Sequence, residues 1–310
     1  MKIAVFTKNR TNPAYTGARL GADRAAHRLG AETMHFVPET PDDAAQQSAL
    51  VDQALKWAPD AVVMSPVHPT RVDAAIGRIH AAGIPIVGMV SPVTAVPCVS
   101  FVHSDDYRLG LAIAGHLFDR LGGHGQILVM SGHVDSPTSI ERLRGFADAV
   151  AQYPDISVAG TVAGDYLRPT AHARATEWIA RHGGTWLDGC LVANDIMALG
   201  VIDALEQARR KALIVGVNAI PEAIPAIKHG VLLATADFNA MRMAYLAAEC
   251  AVRHLNGESV PGRIVLPVQV VDASNCHLWD LPYQDRSVLT LADLPRDAQV
   301  RIVGPASPLP

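Results

Sequence analysis

Short apolar runs alternate with longer segments of mixed polarity from the start of the chain to residue 229. The first run, residues 3–6, is uninterrupted, which is typical of a strand buried on both faces of a parallel sheet. A polar loop follows, and apolar residues then recur with helical spacing over residues 15–29. The repeated pattern predicts strands at residues 3–6, 32–37, 61–64, 84–90, 98–102, 126–130, 158–162, 189–193 and 212–217. It predicts helices at residues 15–29, 40–57 (with Pro41 in the first turn), 72–82, 107–121, 140–153, 171–182, 195–211 and 222–229.

This regular exchange of strand and helix predicts an α/β fold built on doubly wound parallel sheets. The pattern restarts after the fifth strand and produces two halves of similar size, with no Pro-rich or Ser-rich linker between them. We therefore expect two lobes joined by short crossings. Residues 274–310 are rich in proline and aspartate and show little periodicity, so we expect an irregular tail there.

Composition narrows the class of protein. Hydrophobic residues make up 49% and charged residues 18% of the 310-residue chain, which indicates a well-packed globular protein. The net charge is −4 and no run of lysine and arginine occurs, so nucleic acid is not an expected partner. The first strand follows Met1 directly. We expect a periplasmic protein if a leader has been removed and a cytoplasmic one if Met1 is the native start.

The sequence contains no recognisable cofactor or catalytic motif. The opening loop has neither the GxGxxG dinucleotide fingerprint nor a Walker phosphate loop. The four cysteines have no short metal-binding spacing, and no nucleophile elbow or close acid–base pair is visible. We therefore expect no cofactor, no metal site and no catalytic residue, and we expect the protein not to be an enzyme.

The opening loop carries polar groups at the carboxyl end of the first strand, where open α/β sheets bind ligands. Its side chains are hydroxyls, amides and one aromatic, from Thr7, Asn9, Thr11, Asn12 and Tyr15. Hydroxyls and amides both donate and accept hydrogen bonds, and an aromatic face covers C–H groups. The loop therefore suits a neutral, polyhydroxylated ligand.

Four ordered stretches carry a resemblance to a known family. They are the opening strand with Asn12-Pro13, residues 104–115 beginning Ser-Asp-Asp, residues 142–146 reading Arg-Leu-Arg-Gly-Phe, and residues 193–200 followed by 214–218. Through them the chain resembles the sugar-binding type I periplasmic binding proteins, the ribose- and galactose-binding receptors of ABC importers. The resemblance implies two Rossmann-like lobes joined by a three-crossing hinge. One lobe would hold residues 1–103 and 239–267, the other residues 105–236 and 269–285, with 286–310 as the tail.

The resemblance also implies a function and a set of ligand contacts. A monomer of this family captures a monosaccharide or sugar alcohol between its lobes and delivers it to the membrane permease of an ABC importer. The matching positions in the first lobe are Asn12, Tyr15, Ser65 and Ser91. Those in the second lobe are Arg142, Tyr166, Asn194, Asn218, Asp237 and Phe238.

Two positions depart from the ribose-binding pattern. Val90-Ser91 stands where ribose receptors have an Asp-Arg pair, and Ala14 replaces the second aromatic of the opening loop. Loss of a charged pair leaves a roomier and more neutral pocket. This argues against ribose itself and favours another monosaccharide or an open-chain polyol.

Two alternatives share the same fold. One is the effector-binding domain of a LacI-type transcription regulator, and the other is a sugar-sensing receptor component that signals ligand occupancy. The absence of a basic patch argues against the regulator. The native start of the gene would distinguish an exported receptor from a transcription regulator. An upstream leader would indicate export, and an upstream DNA-binding domain would indicate a regulator.

Overall fold

The computed structural model describes residues 1–182 and 186–294, together with the backbone of residues 299–301. These residues divide into two compact units. The first unit contains residues 1–104, 239–267 and the chain from 283 onward, and the second contains residues 105–238 and 268–282. The chain changes unit after residues 104, 238 and 267, near the three expected crossings, and a fourth change after 282 returns it to the first unit.

The elements follow one another in the expected α/β order. The strands are β1 (Lys2–Phe6), β2 (Glu32–Phe36), β3 (Ala61–Met64), β4 (Ile86–Met89), β5 (Ser100–Ser104), β6 (His124–Ser131), β7 (Asp155–Ala163), β8 (Gly189–Val192), β9 (Leu213–Val217), β10 (Ala234–Ala236), β11 (Arg263–Leu266), β12 (Val270–Asp272) and β13 (Gln299–Arg301). The helices are α1 (Pro13–Arg28), α2 (Ala44–Trp57), α3 (Asp73–Ala81), α4 (Asp106–Arg120), α5 (Pro137–Val150), α6 (Arg168–Arg181), α7 (Asp195–Gln207), α8 (Ala223–Lys228) and α9 (Ala240–Leu255).

Each unit is built on one twisted sheet that is mainly parallel. The sheet of the first unit has the strand order β13-β11-β5-β4-β3-β1-β2, and that of the second has the order β12-β10-β9-β8-β6-β7. In the first sheet β13 runs antiparallel to β11, and in the second β12 runs antiparallel to β10. The core of the first unit includes Phe6, Phe36, Met64 and Ile76, which are buried between the sheet and its helices. The predicted fold class is confirmed in both units.

Helix boundaries differ from the predictions by a few residues, and capping explains the largest differences. Helix α2 begins at Ala44 rather than residue 40, because the Asp43 side chain accepts a hydrogen bond from the Gln46 N–H and caps it. Pro41 therefore lies before the helix and not in its first turn. Helices α1 and α5 begin earlier than predicted, at Pro13 and Pro137, because proline is well tolerated in the first helical turn.

The chain beyond residue 282 belongs to the first unit, which corrects two expectations. Residues 283–285 were expected in the second lobe, and residues 286–310 were expected to form an irregular tail. The Tyr283 ring instead packs against Gly17 of α1, and the backbone N–H of Leu291 donates to Glu249 of α9 at 2.9 Å. Residues 299–301 form β13, which pairs with β11 and forms one edge of the sheet. Residues 295–298 and 302–310 lie outside the described residues.

In the part of the chain that the structure describes, no helix combines the length and apolar character needed to cross a membrane.

Candidate functional site

The ten expected ligand residues lie at or beyond the carboxyl ends of the strands of their own unit. In the first unit, Asn12, Ser65 and Ser91 follow the adjacent strands β1, β3 and β4, and Tyr15 lies in α1. In the second unit, Tyr166, Asn194 and Asn218 follow β7, β8 and β9, and Arg142 lies in α5 after β6. Asp237 and Phe238 follow β10 directly. Each unit therefore gathers its own set at the sheet edge that binds ligands in α/β folds.

The loop after β1 is held by side-chain amides. Asn12 caps α1, with its Oδ1 accepting from the Ala14 N–H at 3.0 Å. Asn9 supports this turn, because its Oδ1 accepts from the Asn12 N–H at 3.0 Å. Tyr15 follows in the first turn of the helix and is buried. The backbone of the loop around Asn12 is thus held by amide side chains of the loop itself.

Lys8 is a residue of this loop that the sequence analysis missed. It lies between Thr7 and Asn9, and its side chain is 1% exposed. A lysine is almost never fully buried unless its ammonium group is paired. Its position directly after a buried strand, among loop amides, was the signal that could have identified it. Lys8 joins the candidate site of the first unit.

Ser65 and Ser91 each carry a buried hydroxyl with no hydrogen-bond partner. Both residues are essentially inaccessible in the first unit. An unpaired buried hydroxyl costs about 1–3 kcal/mol, so such groups call for an explanation. Val90, just before Ser91, has a φ of 67°, an unusual conformation for a β-branched residue. Backbone strain of this kind clusters at functional positions.

Arg142 is the centre of the site in the second unit. It is buried, and its Nε donates to Asp106 Oδ1 at 2.7 Å. Its Nη1 donates to the Ala193 carbonyl oxygen at 2.6 Å and lies 3.5 Å from Asn218 Oδ1. Its guanidinium carbon lies 4.9 Å from the centroid of the Phe238 ring. This stacking and fork-like bonding fix the plane of the guanidinium.

Asn194 is fully buried and only half of its amide is satisfied. Its Oδ1 caps α7 by accepting from the Met197 N–H at 2.9 Å. Its Nδ2 is buried and has no hydrogen-bond partner. The preceding residue, Ala193, supplies the carbonyl that binds Arg142. An unpartnered amide donor therefore lies next in sequence to a group that Arg142 contacts.

The loop that carries Asn218 is strained and is anchored by Asp195. Asn218 has a φ of 131° and Ala219 a φ of 50°. Asp195 is fully buried and accepts from the Ile220 N–H at 3.1 Å and from the Thr235 hydroxyl at 2.6 Å. Burial raises the pKa of the Asp195 carboxyl to about 6, although these hydrogen bonds and Arg142 oppose the rise.

The Tyr166 hydroxyl belongs to a chain of three hydrogen-bonded hydroxyl groups, and its backbone adopts an unusual conformation. Its phenolic oxygen is 3.0 Å from Thr138 Oγ1, which is 3.0 Å from Ser136 Oγ. Tyr166 has a φ of 61°, and its ring packs against Gly132 so closely that any Cβ there would overlap it. The ring is therefore held in one place by its neighbours.

Asp237 has a partner that the sequence did not suggest. Its Oδ2 accepts from the Trp279 indole N–H at 3.0 Å. Both residues are buried in the second unit. Trp279 therefore orients a candidate ligand residue.

The candidate residues of each unit are suited to polar recognition by hydrogen bonds. Amides, hydroxyls, a stacked guanidinium and aromatic rings are the groups that match the hydroxyl rim and C–H faces of a sugar. In the described ranges, no group of three or more histidine, cysteine, aspartate or glutamate side chains is placed to hold a metal ion.

Two α/β units that present such groups at their sheet edges define a class of solute-binding proteins. A family model described as "Periplasmic binding protein domain" matches residues 3–259. The chain belongs to this family, whose members bind solutes and are not enzymes. The predicted family is therefore confirmed.

Individual relatives agree with this assignment. The chain is 29% identical over 195 residues to a xylitol-binding protein of Mycolicibacterium smegmatis, a match that covers 63% of this chain and 56% of that relative. It is 23% identical over 268 residues to a ribose import binding protein of Bacillus subtilis, covering 86% of this chain and 85% of the relative.

The fold has close structural counterparts. An ABC transporter periplasmic solute-binding protein from Actinobacillus succinogenes, solved with bound D-allose, superimposes with a TM-score of 0.82. The two are 24% identical, and the superposition covers 89% of this chain and 99% of that one. At this identity the likeness establishes the fold alone.

Proposed function

We propose that this protein captures an uncharged monosaccharide or sugar alcohol and delivers it to the membrane permease of an ABC importer. It acts outside the cytoplasm, as a monomer and without a cofactor or nucleic acid. Its ligand contacts are the ten expected residues together with Lys8. Asn12, Tyr15, Ser65, Ser91 and Lys8 act from the first unit, and Arg142, Tyr166, Asn194, Asn218, Asp237 and Phe238 act from the second.

The observation that carries this proposal is the unpartnered amide of Asn194. Its buried Nδ2 is a donor with nothing to bind, adjacent in sequence to the Ala193 carbonyl that Arg142 contacts. A ligand hydroxyl is the acceptor that would satisfy it. The unpartnered hydroxyls of Ser65 and Ser91 support the same reading in the first unit. A polyol offers several such partners at once.

The names of relatives support a small polyol or sugar as the ligand. The names of two relatives identify them as binding xylitol and importing ribose, which are both five-carbon compounds. Val90 and Ser91 bring no charge to the first-unit site, and Lys8 brings an ammonium group that can donate hydrogen bonds to ligand hydroxyls. Of the five-carbon compounds, an open-chain polyol suits a pocket that has lost a charged pair and one aromatic ring.

A thermal-shift screen of the ligand-stripped protein tests this proposal. The panel contains xylitol, ribitol, D-ribose, D-xylose, D-allose and myo-inositol, with D-xylonate as a charged counterpart. A ligand at a hundred times its dissociation constant adds about 2.7 kcal/mol to the free energy of unfolding. In a protein of this size that raises Tm by several degrees. We expect a shift with a few stereochemically related neutral compounds and none with D-xylonate.

The same screen contains the result that would contradict the proposal. A shift with D-xylonate alone would assign the site to sugar acids, and no shift with any neutral compound would remove the sugar and polyol assignment. Arg142→Gln serves as the site control, because it removes the guanidinium while keeping a polar side chain. It should abolish the ligand-induced shift, and it should lower the Tm of the ligand-free protein because the buried Asp106 carboxylate loses its partner.

A further inference from the structure

Asp106 and Arg142 form a buried ion pair in the second unit. Arg142 Nε donates to Asp106 Oδ1 at 2.7 Å, and the two side chains are only 3% and 7% exposed. Two buried charges cost free energy to desolvate, and their attraction offsets this only with good geometry. Such a pair is therefore weak evidence for stability, and its presence calls for a functional explanation.

Close packing of two helices holds the pair together. Asp106 is the first residue of α4 and Arg142 lies in α5. Gly110 of α4 packs against the Arg142 backbone so tightly that a Cβ would overlap the Arg142 carbonyl oxygen. Gly145 of α5 packs in the same way against the Tyr107 carbonyl oxygen. The backbones of α4 and α5 thus approach closely at two points along the helices. The Asp106 carboxylate faces the Arg142 guanidinium across this contact.

The carboxylate also fixes the orientation of the guanidinium. Asp106 holds Nε, and the Ala193 carbonyl holds Nη1 at 2.6 Å. Bonds at two different nitrogens, together with stacking on Phe238, leave the planar group no freedom to rotate. Asp106 is thus a positioning residue for a group of the candidate site.

The nearby carboxylates have other donors of their own. Asp195 accepts from Thr235 and from the Ile220 backbone, and Asp237 accepts from Trp279. Asp106 accepts a hydrogen bond from the guanidinium directly, at 2.7 Å. It therefore compensates the charge of Arg142 at close range.

We infer that Asp106 sets the charge class of the ligand: it orients Arg142 for hydrogen bonding and cancels its charge, so that the site accepts neutral sugars or polyols and rejects sugar acids. This inference rests on the proposed function. In the absence of Asp106, the buried guanidinium loses the carboxylate that hydrogen-bonds it and would attract a ligand carboxylate in its place. The residue thus decides between two ligands that differ only in one terminal group.

The test compares Asp106→Asn with Asp105→Asn by calorimetric titration. Asp105 is the adjacent residue; it caps α4 and pairs with the exposed Arg108, and asparagine is an equally good cap. The two substitutions therefore remove the same charge from neighbouring positions. The probes are two pairs matched in carbon skeleton, xylitol with D-xylonate and D-ribose with D-ribonate. Each is titrated into wild type and both variants.

In Asp106→Asn we expect the affinity for the neutral probe to fall by about tenfold and that for its acid to rise by about tenfold. Asp105→Asn should keep the wild-type preference. The inference is overturned if Asp106→Asn retains the wild-type preference or if Asp105→Asn shows the same shift. If wild type binds neither xylitol nor D-ribose, the proposed five-carbon ligand is wrong, and the gain of acid binding still tests Asp106 on its own.

Asp106→Glu covers the case in which Asp106→Asn does not fold. It keeps the negative charge and lengthens the side chain by one methylene. It therefore displaces the Arg142 guanidinium but leaves it a carboxylate partner. We expect weaker binding of the neutral probe and continued rejection of its acid. Neutral binding as tight as in wild type would show that Asp106 does not position Arg142.

Discussion

Single residues of the site differ in how much of their hydrogen-bonding capacity the protein already uses. In Asn12 and Asp237, one side-chain oxygen already accepts a hydrogen bond from a group within the protein. Asn194, Ser65 and Ser91 each keep a buried polar atom without a partner. Because unpaired buried groups are costly, the second set marks where a bound ligand gains most.

Asn194→Ser separates the two roles of Asn194. Serine caps a helix about as well as asparagine, so α7 keeps its cap and the free energy of unfolding should change by less than about 1 kcal/mol. The amide donor is lost, and ligand affinity should fall about tenfold, as expected for one buried hydrogen bond. Calorimetric titration and urea unfolding measure the two effects. Unchanged affinity would show that the Nδ2 group does not contact ligand.

Asp195 predicts a pH dependence of stability. Burial raises the pKa of its carboxyl to about 6 in the folded protein, from a usual value of 3.8. Between these values the folded state holds a proton that the unfolded state has released, so stability falls as pH rises through this window. The loss should be on the order of 3 kcal/mol, since each unit of pKa is worth about 1.4 kcal/mol.

Asp195→Asn removes this ionisation and serves as the comparison. Urea unfolding of both proteins at pH 4 and pH 7 gives the difference in their free energies of unfolding. The wild type should lose stability relative to the variant as pH rises between the two values. A difference that stays constant with pH would mean that Asp195 ionises with an ordinary pKa.

Residue types explain which site positions the sequence could predict. Asn194 and Arg142 stand out because their residue types and their places in ordered motifs match a known pattern. Lys8 did not, because a lysine in a loop usually faces solvent. Asp106 belongs to an ordered motif, but an aspartate at a helix start usually faces solvent as well, so no site role was assigned to it. Their burial depends on tertiary packing, which a single sequence does not reveal.

At the scale of elements, close helix packing depends on individual glycines. Gly21 of α1 lies against the backbone of α9, and a Cβ there would overlap the Met241 carbonyl oxygen. Gly77 of α3 has open space where its Cβ would lie. An added methyl group would therefore clash with a neighbouring helix at position 21 and meet nothing at position 77, although both glycines are helical.

Gly21→Ala and Gly77→Ala should change stability in opposite directions. Alanine at position 21 must push two helices apart and should lower the free energy of unfolding by about 1–3 kcal/mol. Alanine at position 77 should raise it by about 0.5–1 kcal/mol, because alanine favours the helix. Urea denaturation measures both. Equal effects would contradict the described packing of α1 on α9.

Helix α9 and strands β10 to β13 were not predicted. Twelve of the sixteen residues of α9 are buried, and its apolar positions recur with clear helical spacing, so the sequence does carry a signal for this helix. Strands β10 and β12 contain three residues each, too few for a pattern. Longer runs with regular spacing, such as β3, were predicted at the observed residues.

At the scale of the whole molecule, the order of strands and helices was enough to predict two α/β units. Parallel strands need crossovers, and the alternating pattern supplies them. The sequence could not reveal that the chain beyond residue 282 returns to the first unit. That return depends on contacts such as the Tyr283 ring on Gly17 and the Leu291 N–H on Glu249, which join residues distant in sequence.

Xylitol binding by the ligand-stripped protein is best measured by calorimetric titration, with Arg142→Gln titrated beside wild type. We expect saturable binding of one xylitol per chain to wild type and binding at least about tenfold weaker to the variant, because a buried charged donor is lost. A folded wild type that binds neither xylitol nor any other neutral sugar or polyol would show that this protein is not a sugar or polyol receptor. Equal affinity in the two proteins would remove Arg142 from the site.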